Sequence, residues 1–330
     1  MRVHKEQKER FLRFAPIVVI GLLLMTLPAY SGVAIVSLVT KILIYGLLVM
    51  SLDLLVGYTG LWSFGHAAIF SIGAYTSGIL IKHFGITSFW LLAPAGVLMA
   101  VLASAFFGLV ALRVSAIYFL LITLAIGQLV WALVFAPPEG MRWLTGGGDG
   151  LAGIPYPDLG FLQLSPGNYY YFVLVVFVIC ALLLYRLVKS PFGYCLQGIR
   201  ESDIRMRALG YNVWLYRYIA FIIAGLFAGV AGVMWVHFNG IITPEAVGVG
   251  ASGLLWTMLI IGGIGTLWGG LIGSAMIWAL QYIVSGFTPE RWPLILGVCF
   301  VAVIMFYRRG TMPQLTNLWE KVSGYGSAKG

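Results

Sequence analysis

Charge is what this sequence has least of. Only 9% of its 330 residues are Asp, Glu, Lys or Arg, against about a quarter in a soluble domain. Eleven acidic and twenty basic side chains cannot cover a water-soluble particle of this length, so a soluble enzyme is excluded. The formal charge of +9 raises a nucleic-acid reading, but the bases are confined to the termini and a few short segments between apolar runs. No nucleic acid is expected among the partners. The three cysteines, Cys180, Cys195 and Cys299, share no metal-ligand spacing and imply no disulfide framework. They are expected as free core thiols, with no metal site.

Catalytic motifs are also missing. No G-x-x-x-x-G-K-[ST] phosphate loop, no H-E-x-x-H and no G-x-S-x-G occurs, so hydrolysis of ATP by the first route is excluded. No cofactor motif is present, and a non-catalytic chain is expected. No pair of carboxylates and no Asp–His chain falls in the middle of an apolar run, which weakens a proton-driven pump. The absence of an arginine ladder removes a voltage sensor.

What the sequence has is apolar surface: 61% of residues are hydrophobic and mean hydropathy is +0.97. The expected fold is an all-α polytopic membrane protein, because in lipid every backbone polar group must be satisfied within the chain. A spanning helix needs about 20 mostly apolar residues. Ten runs qualify: Ala15–Tyr30, Val33–Val56, Leu61–Ile81, Phe89–Leu112, Ser115–Ala136, Tyr169–Tyr185, Tyr218–Phe238, Ser252–Gly265, Trp268–Gly286 and Pro293–Tyr307. The third is broken by Gly65, Gly73 and Gly78, and the eighth is short. The first follows a basic stretch but has only a weak cleavage site at Leu27–Ser31, and reads as a retained helix.

Alternation of ten spans from an inner N-terminus places Arg2, Lys5, Lys8, Arg10, Arg13, Arg113, Arg186, Lys189, Arg200, Arg205, Arg207, Arg217, Arg308, Arg309, Lys321 and Lys329 inside. Only Lys82, Arg142 and Arg291 fall outside. The bias of basic residues to the inner side therefore predicts cytoplasmic tails at 1–14 and 308–330. It also predicts an external loop at 137–168 and a cytoplasmic segment at 186–217. The external loop carries the run Gly146–Gly147–Gly148–Asp149–Gly150, read as an ordered loop that touches a partner.

The inner segment has the signals of a short helix. Ser190 before Pro191 supplies a cap and a preset φ, and Gly210 supplies a stop. Glu201 with Arg205, and Asp203 with Arg207, are acid-before-base pairs four apart, expected on one exposed helix. Among intramembrane polar groups, Asp53 is expected to cap a helix end or to act functionally, and Lys41 to snorkel outward. Ser63, His66, Thr123 and Gln128 are the candidates for a translocation pathway, although a packed, hydrogen-bonded histidine is the commoner reading of His66. Gly225 and Gly229, and Gly269 and Gly273, have the four-residue spacing of close helix packing.

Several of these stretches resemble one family. Leu55-Val-Gly57-Tyr-Thr-Gly60-Leu-Trp62-Ser-Phe64-Gly65-His66-Ala-Ala68, running on to Ile72-Gly-Ala-Tyr75, is similar to a signature of branched-chain amino acid ABC transporter permeases of the LivM type. Ser190–Gly193, Ile199-Arg-Glu201 and Ala208-Leu-Gly210 resemble that family's ATPase-facing motif. Tyr118–Phe119, Gly147–Leu151, Ala228–Gly232 and Gly262–Thr266 match in order. Trp62 departs from the usual aliphatic stretch. The resemblance implies a type II-like ABC importer permease in a bacterial cytoplasmic membrane. Implied partners are a second, LivH-like permease, two cytoplasmic ATP-binding subunits, a periplasmic or extracellular solute-binding protein, and membrane lipid. Arg200, Glu201, Asp203, Arg205 and Gly210 would couple to the ATPase. Relatives with similar signatures carry urea, short amides or aromatic acids. An ion-coupled transporter or channel is the rival from another class.

Overall fold

The computed structural model of the chain describes residues 24–28, 30–114, 116–140, 142–158, 164 and 166–286, with 294, 295, 297, 298, 301, 305, 310 and 311. The expected first and tenth spans, both expected tails and Cys299 lie wholly or mostly outside these residues. The chain is all-α and polytopic. Five helices among the described residues are long and apolar enough to cross a membrane, and two shorter apolar helices follow them.

Helix α1, Val33–Asp53, continues into a π-helical turn, Leu54–Thr59. Gly60, at φ +73°, ends it. Helix α2 starts only at His66 and runs to Phe84. The second span is thus longer than its apolar run suggests, and the helix of the third run, which is not one of the five, begins five residues later than expected at Leu61. Glycines at 57, 60 and 65 make this elbow affordable, because none carries a Cβ that would block the returning chain.

Helices α3, Phe89–Ala111, and α4, Ala116–Phe135, follow. Their apolar side chains, such as Leu98, Leu102, Phe106, Leu121 and Leu129, are largely exposed, as a lipid-facing surface requires. A loop then carries the β1 strand, Leu151–Ala152, before helix α5, Pro166–Val188. Two short helices, α6 (Pro191–Glu201) and α7 (Asp203–Ala208), lead into α8, Val213–Asn239. Strand β2, Ile241–Ile242, pairs antiparallel with β1, Leu151 opposite Ile242. Helices α9, Val249–Gly262, and α10, Gly269–Ser285, complete the described bundle.

The central element is α8. It packs along α2, α3 and α1, and its small residues decide how closely. A Cβ on Gly229 would lie 2.6 Å from that of Ala100 on α3, and one on Gly232 would overlap the Phe70 carbonyl of α2. Dispersion, not the hydrophobic effect, holds helices together in lipid, so this backbone-to-backbone approach is the main source of cohesion. Gly273 does the same where α10 crosses Met258 of α9.

The glycine run at 146–150 is ordered against its own chain. Gly146, Gly147 and Gly150 have φ of +74°, +62° and +71°. A Cβ on Gly150 would lie 2.9 Å from Thr243 Cα. Lys82 Nζ donates to the Ala152 carbonyl at 3.2 Å, and His237 Nδ1 bonds the Pro155 carbonyl at 3.0 Å. The loop is therefore a lid over the β2 end of the bundle.

Candidate functional site

Two features stand out: a node at the α6 end of the bundle, and a cavity at the β2 end. The node starts from local capping. Ser190 accepts from the Gly193 N–H at 3.4 Å with Pro191 in the first turn, as its sequence indicates. Gly210 has φ +87° and ends the segment. Between them the expected single helix is corrected to two. Ser202 is extended, at φ −161°, and its hydroxyl accepts from the Arg205 N–H at 3.3 Å. It stops α6 and starts α7, so Glu201 and Arg205 do not form a pair along one helix. Ser202 followed by Asp203 is itself a start signature, and that signal could have located the break.

Asp203 and Arg207 do meet, at 3.7 Å. The shorter contact is to Arg217 on α8, at 2.8 Å, which pins α7 to the central helix. Ile199, Met206 and Val213 form a small apolar cluster beneath it. Glu201, Arg205 and Gly210 remain exposed.

Arg200 points the other way. Its Nη1–H donates to the Gly57 carbonyl in the π turn after α1. A Cβ on Gly60 would stand 3.3 Å from its Cγ, and one on Gly265 3.1 Å from its Nη1. One turn before Gly57, the fully buried Asp53 accepts the Gly265 N–H at 2.7 Å and the Leu267 N–H at 2.9 Å. Leu267 has φ +54°, the one non-glycine residue with positive φ among those described, a conformation that costs about 1 kcal/mol or more. The Asp53 carboxylate holds it in place. Of its two sequence readings, Asp53 is a cap, but of a loop over two hundred residues away rather than of its own helix. The chain α6–Arg200–Gly57–Asp53–Gly265 thus joins three distant segments. π turns interrupt helices mainly at functional sites.

The cavity has a volume of about 830 Å³ and is lined by Tyr45, Trp235, Glu245, Trp256, Thr257 and Phe64 among others. Glu245 is the only charged residue in its wall among the described residues. Trp256 stacks with both Trp62, at 5.4 Å, and Phe64, at 5.5 Å. Trp62 is 49% exposed. The wall is therefore aromatic with one carboxylate, suited to an apolar body that carries a positive group.

The residues proposed for a pathway stand behind that wall. Ser63 is buried, and its carbonyl accepts the Trp256 Nε1–H at 2.9 Å. Thr123 accepts the Phe64 N–H at 3.0 Å and donates to the Leu120 carbonyl at 2.9 Å. Together they hold the elbow that presents Trp62 and Phe64. His66 is buried, with Nε2 2.7 Å from the Ser51 hydroxyl. That hydroxyl also lies within hydrogen-bond reach of the Leu48 carbonyl. Gln128 is half-buried on α4, and neither it nor His66 lines the cavity. Tyr45, Glu245 and Trp256 were not legible as site residues. Glu245 had a local signal, a lone acid between two apolar spans.

Cys180 is buried and Cys195 half-buried, and both are free. No group of metal-ligating side chains occurs among the described residues.

Residues 34–306 match the family described as branched-chain amino acid transport system, permease component. The high-affinity branched-chain amino acid transport system permease protein LivM of Escherichia coli K12 is 28% identical over 319 residues, covering 89% of this chain and 73% of that protein. The LivH permease protein of the same organism is 22% identical, over 79% of this chain and 88% of its own length. The autoinducer 2 import system permease protein LsrC of Klebsiella pneumoniae is 28% identical over 62% of this chain and 59% of that protein. No solved structure matches. With a match over most of its length, the chain belongs to the branched-chain amino acid transport system permease family.

Proposed function

We propose that this chain is a permease subunit of an ATP-binding cassette importer in a bacterial cytoplasmic membrane, carrying a branched-chain or closely related amino acid. It is non-catalytic. Hydrolysis of ATP belongs to two cytoplasmic subunits, solute capture to an external binding protein, and the second half of the channel to a LivH-like permease. Ten spans place both termini, and residues 186–217, on the cytoplasmic side, with 137–168 outside.

The observation that carries this reading is the node. A motor that closes on ATP works on a membrane domain only through a rigid contact. Glu201, Arg205 and the exposed side of Asp203 form the face offered to the ATPase, and Gly210 sets the angle of return to α8. Arg200, exposed beside them, also bonds the Gly57 carbonyl and passes displacement to the π turn, and through Asp53 to the α9–α10 loop. Those elements also carry the walls of the aromatic cavity: Tyr45 on α1, Trp256 and Thr257 on α9. Movement at α6 therefore reshapes the proposed pathway, whose apolar wall suits an aliphatic side chain and whose Glu245 suits an ammonium group.

The test is reconstitution of the full assembly with radiolabelled leucine. Glu201→Ala with Arg205→Ala is expected to leave the complex assembled and hydrolysing ATP while uptake falls. Coupling at the wild-type level in that variant refutes the docking face. Uptake by vesicles holding this chain alone, driven by a cation gradient, refutes the importer.

A further inference from the structure

A second cavity lies beside the first and has the opposite charge. It has a volume of about 910 Å³ and opens between the start of α1, the end of α8 and the end of α10. Among the described residues, Lys41 is its only charged lining residue. The ammonium sits 4.1 Å from the ring centroid of Trp278 and 5.7 Å from that of Trp235. No carboxylate among the described residues pairs with it.

That leaves a partly buried cation with only aromatic faces for company. Cation–π attraction contributes about 2 kcal/mol at a desolvated site, whereas removing an ammonium from water costs several. Lys41 is half-buried at the cavity wall, so the remainder is met from the cavity, by water or by an anionic group of a bound solute. Two more polar atoms in the same wall lack a partner while buried: Trp278 Nε1 and Gln281 Oε1. The indole N–H is a donor and nothing else, so beside Lys41 it offers a carboxylate a second contact. Gln281 Oε1 accepts, and meets the ammonium of a zwitterion.

The partition between the two cavities is thin and aromatic. Tyr45 and Trp235 face the first, Trp278 faces the second, and Asn239 lines both. Tyr45 packs edge-on against Trp235 and Trp278, at 5.1 and 4.9 Å. The charged groups on either side, Glu245 and Lys41, are complementary to the two ends of an amino acid.

We propose that Lys41, with Trp278 and Gln281, forms a station that binds the carboxylate of the solute. This rests on the importer reading above and names the residues that would hold that end of the solute.

The test uses the complete importer in phosphatidylcholine vesicles, where no lipid carries net negative charge to compete. Uptake of leucine, leucinamide, phenylacetate and phenylacetamide is compared in wild type, Lys41→Met and Lys41→Arg, with co-purification of the ATPase subunits as the check on assembly. Lys41→Met is expected to slow uptake of the carboxylate probes about tenfold, the worth of one charge-assisted contact, and Lys41→Arg to restore most of it. Carboxylate uptake unchanged in Lys41→Met overturns the proposal, as does wild-type uptake confined to the amides. Wild-type uptake of phenylacetate but not leucine leaves the station standing and rejects the branched-chain solute. Should no probe move, tryptophan quenching in nanodiscs decides. The component lost in Trp278→Phe should be quenched by iodide in preference to caesium, and the preference should vanish in Lys41→Met. Equal quenching by the two ions in wild type also overturns the station.

Discussion

Asp53 offers the sharpest test of how the node works. Its carboxylate accepts two backbone N–H groups, Gly265 at 2.7 Å and Leu267 at 2.9 Å, and both belong to a loop with left-handed residues at 265 and 267. Asp53→Ala leaves two donors without a partner in a dry interior. Each such orphan costs about 1–3 kcal/mol, so the loop loses about 2–6 kcal/mol of local restraint. Asp53→Asn keeps one acceptor and turns the other into a donor that faces an N–H, so about half that loss is expected. The effect separates from simple unfolding because the two helices that the loop joins pack independently through Gly262 and Gly273. Differential scanning fluorimetry of the purified complex should show a lower midpoint for Asp53→Ala than for Asp53→Asn. Leucine moved per ATP hydrolysed should fall in the same order. A midpoint and a coupling ratio equal to wild type in Asp53→Ala would refute the idea that this carboxylate links α1 to the α9–α10 loop.

Other expectations follow from the same geometry. Arg200→Ala removes the donor to Gly57 and should uncouple hydrolysis from uptake more than Arg205→Ala, which leaves that bond in place; the two ratios measured side by side decide. Gly232→Ala forces α8 away from Phe70 and should cost about 1–3 kcal/mol or more of overpacking, read as lower yield of folded protein in detergent. Gly167→Ala, where an added Cβ meets nothing within 4 Å, should stay within about 1 kcal/mol of wild type. His66→Ala breaks the bond to Ser51 and leaves a cavity between α1 and α2. It should lower thermal stability while leucine KM stays unchanged, and a raised KM would return His66 to the pathway. Trp256→Ala removes the ring stacked with Trp62 and Phe64 and the donor to Ser63, and should change the ranking of leucine, isoleucine and valine in competition assays.

Much of the local structure was legible in the residues. Ser190, Pro191 and Gly210 mark the ends of the polar segment where caps and a left-handed glycine are needed, because those signals act within a few residues. Gly225 and Gly229 declare close packing for a similar reason: absence of a Cβ is a local property with a single structural use in lipid. The same reasoning failed at Ser202, where charge spacing was given more weight than a capping residue, and at the elbow, where a π turn carries the helix past the end of the apolar run through Gly57, Tyr58 and Thr59. The site was less legible than the fold. Ser63, Thr123 and His66 are polar residues in apolar runs, a pattern shared by lining residues and by residues that bond helix to helix. The Thr123 hydroxyl accepts the Phe64 N–H and His66 meets the Ser51 hydroxyl, whereas Trp256 bonds the backbone carbonyl of Ser63 and not its side chain.

By itself the sequence determines the solvent and the class of this protein: too few charges to meet water, and apolar runs whose backbone must be satisfied as helices. It also determines the family, since several short motifs recur in order along the chain. What only the tertiary structure decided is which distant groups meet. Asp53 reaches a loop more than two hundred residues away, Arg200 turns inward to Gly57, Glu245 enters an aromatic wall, and Lys41 settles against Trp278. The physical reason is range. Caps, turns and hydropathy are set by neighbours along the chain, whereas a partner across the bundle is chosen by how the helices pack.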